Sequence, residues 1–137
     1  MRKFLTLLLL LTLSLNSFGQ IKSEKEICGK WKVEKITEKP AIPQAQPLID
    51  GFRHAIFTFN ENGSFELSTT SNSELFAMVT EMTNGAKWKF NQAKQYVDIG
   101  SEKDGYSVMG ISVRENSGKI LFHLDESGIT LEMKKVK

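Results

Sequence analysis

The chain has 137 residues, of which 18 are Lys or Arg, 16 are Asp or Glu and one is Cys. That length supports one hydrophobic core and not two. A single cysteine excludes an intramolecular disulfide, and the near balance of charge excludes a nucleic-acid or anionic-membrane surface driven by net charge.

The N-terminus opens with Arg2-Lys3 and an apolar run over residues 4–15, too short to span a bilayer. Ser17 and Gly19 fit the −3 and −1 positions of a secretory cleavage site. Residues 1–19 therefore read as a signal peptide cleaved after Gly19, with export to the periplasm or beyond. Loss of Arg2 and Lys3 leaves 16 basic against 16 acidic residues, a formal charge of zero. Cys28 follows Lys25-Glu26-Ile27 and not a small apolar triplet, so the chain is not expected to be a lipoprotein. What remains, residues 20–137, is expected to be one monomeric domain.

Residues 20–26 are polar and predict an arm or a single helical turn. In residues 27–36, Ile27, Gly29, Trp31 and Val33 recur at every second position, the pattern of a half-buried strand. Gly29 is expected to admit a neighbouring backbone, and Trp31 to plug one end of the core. Residues 37–50 hold all three prolines, Pro40, Pro43 and Pro47, which bars them from a sheet interior. With Ala41, Ile42, Leu48, Ile49 and Phe52 as apolar anchors, this connection predicts an ordered flap. Residues 54–59 and 64–69 alternate on either side of Asn60-Glu61-Asn62-Gly63, a hairpin signature.

Residues 71–84 change period. Leu75, Phe76, Met78, Val79 and Met82 gather on one side at helical spacing, Ser71-Asn72-Ser73-Glu74 reads as a capping box, and Asn84-Gly85 reads as a stop. Further strands are expected over residues 86–90, 95–99, 106–113, 119–124 and 129–133. Short connections make neighbours antiparallel. The fold class is therefore all-β: an eight-stranded antiparallel up-and-down barrel with one short helical insertion, or a two-sheet sandwich of the same strands.

Gly29-Lys30-Trp31 on the first strand, the hairpin Ile56-Phe57-Thr58-Phe59-Asn60-Glu61-Asn62-Gly63-Ser64-Phe65 and the later Ala86-Lys87-Trp88-Lys89-Phe90 resemble the lipocalins and small secreted bacterial lipocalin-like domains. The resemblance implies a lipocalin-like barrel whose interior holds a small apolar molecule. It also implies a cation over the Trp of the first strand, for which the last strand offers Lys134 and Lys135.

On this reading the ligand lies at the barrel mouth, contacted by Ile42, Leu48 and Phe52 of the flap and by Leu75, Phe76, Val79 and Met82 of the helix. Gly29, Trp31 and Trp88 form the structural plug. Room beneath the flap and helix is expected from Gly29, Thr69, Gly110 and Ser112. Met78, Met82, Met109 and Met133 offer a soft lining or plain core filling. Neither His54 nor His123 has metal-ligand spacing, so no metal and no cofactor are implied. Asp98 interrupts its strand and would be an acid or base if it faced inward; alternation places it outward. Three functions follow in order: binding of a small apolar molecule, docking of a filled barrel on an envelope protein, and an enzyme using Asp98 or His54.

Overall fold

Alternating buried and exposed side chains give each strand an inner and an outer face, and that alternation closes the wall. The computed structural model describes residues 21–137. Its strands are β1 (Gly29–Glu38), β2 (Ala55–Phe59), β3 (Phe65–Thr69), β4 (Lys87–Asn91), β5 (Tyr96–Gly100), β6 (Met109–Asn116), β7 (Lys119–Leu124) and β8 (Ile129–Val136). Three helices accompany them: α1 (Glu24–Ile27), α2 (Gln46–Arg53) and α3 (Glu74–Met82). The strand order is β3-β2-β1-β8-β7-β6-β5-β4, all antiparallel, so strands adjacent in sequence pair everywhere except β3 with β4, and β8 returns to β1. Between β3 and β4 the wall meets only at a bridge from Ser64 to Lys87. There Phe65 N donates to Ala86 O and Trp88 N to Gly63 O, both at 2.9 Å. The expected eight-stranded barrel is therefore present and nearly closed, and α3 joins the two strands that do not fully pair.

The interior is filled. Phe57, Phe59, Phe65, Phe76 and Phe122 are fully buried, and Trp31 and Trp88 nearly so. Phe122 lies 5.4 Å from Trp31, 5.9 Å from Phe57 and 6.0 Å from Phe59, centroid to centroid. Phe57 continues to Phe52, and Phe52 meets Phe76 edge-on at 4.8 Å. Tilted and edge-to-face contacts of this kind add about 0.5–1.5 kcal/mol each beyond the area they bury. They run from the base of the barrel, at Trp31, to its mouth, at Phe52 and Phe76.

At the base, α1 is the single turn that the polar arm predicts. Trp31 Nε1 donates to Ile27 O at 2.8 Å. The Lys135 ammonium lies 5.5 Å from the Trp31 ring centroid and donates to Glu26 O at 3.0 Å. Gly29 adopts φ +120°, and a Cβ there would stand 3.0 Å from Lys135 Cε. Gly29 thus makes room for a lysine side chain, not for the neighbouring backbone expected from sequence.

Three further differences bear on the mouth. The proline-rich connection is ordered, as expected, but from Gln46 it is helical. Pro43 opens a 3-10 turn (Pro43–Ala45) and Pro47 sits in the first turn of α2. The first turn is where a missing N–H costs nothing and a fixed φ helps. The cap of α3 is Ser73, whose Oγ accepts from Phe76 N at 3.2 Å, in place of the expected capping box begun by Ser71. Strand β6 begins at Met109 and not at residue 106, because Tyr106 adopts φ +58° inside a turn. The Asp104 carboxylate organises that turn, accepting from Ser101 N at 3.1 Å and Ser107 N at 3.0 Å. These backbone hydrogen bonds hold its pKa below the ordinary aspartate value.

Candidate functional site

Ala45, Ile49 and Phe52 recur at helical spacing, and the buried stripe they form sets α2 on the barrel top. Helix α3 answers with Phe76, fully buried against Phe52. Between the two helices and the strand ends a cleft of about 200 Å³ remains. Its walls are Leu48 and Phe52 of α2, and Val79, Met82 and Thr83 at the C-terminal half of α3. The far side is Val108 and Met109 entering β6, with Leu124, Glu126 and Ser127 around the β7–β8 turn. Apart from Glu126, Ser127 and Thr83 this lining is apolar.

Four of the residues expected at a ligand site, Leu48, Phe52, Val79 and Met82, are thus brought together. Phe76 lies behind Phe52 in the core and does not line the cleft. Ile42 and Leu75 do not line it either: they are 57% and 42% exposed. With Leu75, Met78 (61% exposed) and Met82 (64%) form an outward stripe on α3, so that helix is apolar on two sides. The small residues expected to make room do not do so. Gly29 is at the base, Thr69 Oγ1 donates to Gly51 O at 2.8 Å, and Gly110 and Ser112 face outward from β6. Space lies instead between α2, α3 and the strand ends at Met109 and Leu124. Of the methionines, Met82 and Met109 line the cleft, while Met133 is buried beside the base strands.

Asp98 stands on the outer face of β5, opposite Lys89 and Gly110, as alternation expects. His54 is exposed, and His123 Nδ1 is 2.8 Å from Thr130 Oγ1 on the outer face. Burial, followed by the Glu61 and Glu24 carboxylates, pushes the Cys28 thiol up, away from a reactive thiolate. Among the described residues no group of three or more His, Cys, Asp or Glu is placed to hold a metal ion.

No family model, curated protein or solved structure matches the chain. The chemistry of the mouth must therefore be read from its own residues.

A polar network fixes the β7–β8 turn beside the cleft, and sequence reasoning missed it. The Tyr96 phenol donates to Asp125 Oδ2 at 2.7 Å, and Ser112 Oγ donates to Asp125 Oδ1 at 3.3 Å. Asp125 N donates to Gly110 O at 3.1 Å, and Gly110 N donates to Glu126 Oε1 at 2.8 Å. Gly110 must lack a side chain, because a Cβ there would overlap the Tyr96 hydroxyl. Partial burial, then the Asp125 hydrogen bond and charge, raise Tyr96 above the ordinary tyrosine value of 10.0.

The sign follows from linkage. The folded state holds the phenolic proton more tightly, so the Tyr96 contribution is intact below pH 10.0 and is lost as pH climbs through the raised value. Alkaline unfolding followed by circular dichroism should show stability falling above pH 10.0, with a shallower fall in Tyr96→Phe. An identical slope in the two proteins would dissociate Tyr96 from the turn.

Proposed function

We propose that this chain is an exported lipocalin-like barrel that binds a small apolar molecule at its mouth. The observation that carries the reading is the cleft between α2, α3 and the β7–β8 turn, apolar over most of its lining and close to 200 Å³. Voids of roughly 150 Å³ lined by aliphatic and aromatic side chains take up benzene, and drug-sized ligands need roughly 300–1,000 Å³. The space therefore suits a single ring or a short alkyl chain. The indole of Trp31 under the Lys135 ammonium, on the first strand of a nearly closed barrel in which β8 pairs with β1, supports the lipocalin-like assignment. The leader that would direct export, residues 1–19, lies outside the described residues.

Saturable binding of a small ring compound, followed by chemical-shift changes at Val79, Met109 and Ser127, tests the proposal. Val79→Trp fills the cleft and should weaken that binding at least roughly tenfold, the loss of about one buried side chain's worth of apolar contact. Binding that does not saturate, or that survives Val79→Trp unchanged, would remove the cleft as a site.

The outward stripe Leu75, Met78 and Met82 favours a second reading, in which the filled barrel docks on an envelope protein through α3. The two separate cleanly. Leu75→Glu with Met78→Glu should abolish such a complex and spare ring binding, and Val79→Trp should do the reverse.

A further inference from the structure

We infer that the ligand of the mouth cleft is a cation: a protonated amine carried on a ring or short alkyl chain. This rests on the proposed reading of the cleft as a binding site and adds the polarity of its occupant. Glu126 is the one ionisable side chain in the cleft lining. It is fixed there, because Gly110 N donates to Oε1 at 2.8 Å while the Tyr96–Asp125 bond pins the adjoining residue of the turn. Glu126 is exposed, and its second carboxylate oxygen accepts no hydrogen bond among the described residues, so an incoming ammonium can meet it while keeping part of its hydration.

The surroundings reinforce this. Glu102, Asp104 and Asp125 lie in the turns that adjoin the cleft, with Lys103 among them and the Lys89 ammonium 4.3 Å from the Tyr106 ring. The carboxylates of the two helices lie elsewhere: Asp50 and Glu74 border a second hollow, and Glu81 a third that Lys30 shares. The ion pairs among the described residues, Lys32–Glu34, Lys134–Glu34 and Lys119–Glu132, all involve the opposite half of the barrel and neutralise none of the mouth carboxylates. Carboxylates thus outnumber cations in the turns beside the cleft. Such a field attracts cations and turns away fatty acids and other anionic amphiphiles.

The probes are three compounds of one shape: 2-phenylethylamine, the neutral 2-phenylethanol and the anionic 3-phenylpropanoate. Each is titrated into the protein and followed by amide shifts of Val79, Met109 and Ser127. The amine should bind roughly three- to tenfold more tightly than the alcohol in low salt, as an exposed ion pair within a like-signed field allows. The anion should bind more weakly than the alcohol. In Glu126→Gln, whose amide oxygen still accepts from Gly110 N, the preference for the amine over the alcohol should shrink towards unity. Raising ionic strength should shrink it in the wild type. Equal affinity for amine and alcohol would overturn the inference and leave the apolar site standing. Failure of all three to bind would overturn both.

Discussion

Phe122→Ala is expected to destabilise the protein by about 3–5 kcal/mol, the range for truncating a buried aromatic that leaves a cavity. Phe122 is fully buried and central in the aromatic column, touching Trp31, Phe57 and Phe59. Those three are held on β1 and β2, whose register is set by the pair Trp31↔Phe57, so they cannot collapse into the void without breaking the wall. The cavity term should then stand near its full value. Against a total stability of roughly 5–15 kcal/mol this is a large share. Urea unfolding should show a much lower midpoint with an unchanged slope, since the surface exposed on unfolding hardly differs. Leu121→Ala, one residue away on the outer face of the same strand, should cost less than about 1.5 kcal/mol. Comparable losses at the two positions would mean that β7 does not present alternate residues to a packed interior.

That alternation is also why most of the fold was legible. The β2–β3 hairpin follows from Phe57, Phe59, Phe65 and Leu67 at period two around Asn60-Glu61-Asn62-Gly63, and the register Phe59↔Phe65 puts all four on the inner face. The mouth was legible only in part. Prolines marked residues 37–50 as connection, yet Pro43 and Pro47 begin helical turns; Ala45, Ile49 and Phe52 already carried the helical spacing. Helix α3 is apolar on more than one side, so spacing could not decide which of its residues faces the barrel. Phe76 does so fully, while Leu75, Met78 and Met82 remain largely exposed. The fixing of Glu126 was invisible for a different reason. It depends on a hydrogen bond between Tyr96 and Asp125, 29 residues apart, and on the absence of a side chain at Gly110. No local pattern encodes that meeting; it exists only once β5, β6 and β7 are in register.

The mouth depends on a contact at which two ordinary preferences compete, and Gly51→Ala measures which prevails. In the middle of α2, replacing Gly by Ala should favour the helix by roughly 1 kcal/mol. Gly51 is buried, however, and a Cβ there would overlap the ring of Phe76, which is itself fully buried and braced edge-on against Phe52 at 4.8 Å. Overpacking of a braced core typically costs about 1–3 kcal/mol, so the net change should be destabilising by up to about 2 kcal/mol. The helices should part to relieve it, and the cleft between Leu48, Phe52 and Val79 should change shape, weakening the proposed binding of ring compounds. The deciding measurement is the sign of the same substitution when the ring is gone. In a Phe76→Gly background, which removes the Cβ at 2.5 Å as well as the ring and costs more than the about 3–5 kcal/mol of truncation to Ala, only the helix preference remains. Gly51→Ala should there become stabilising by up to about 1 kcal/mol. A double-mutant cycle on urea midpoints would then give a coupling of roughly 1–3 kcal/mol between positions 51 and 76. Additive effects would mean that α2 and α3 are not joined through this contact, and that something other than the Gly51–Phe76 approach sets the width of the cleft.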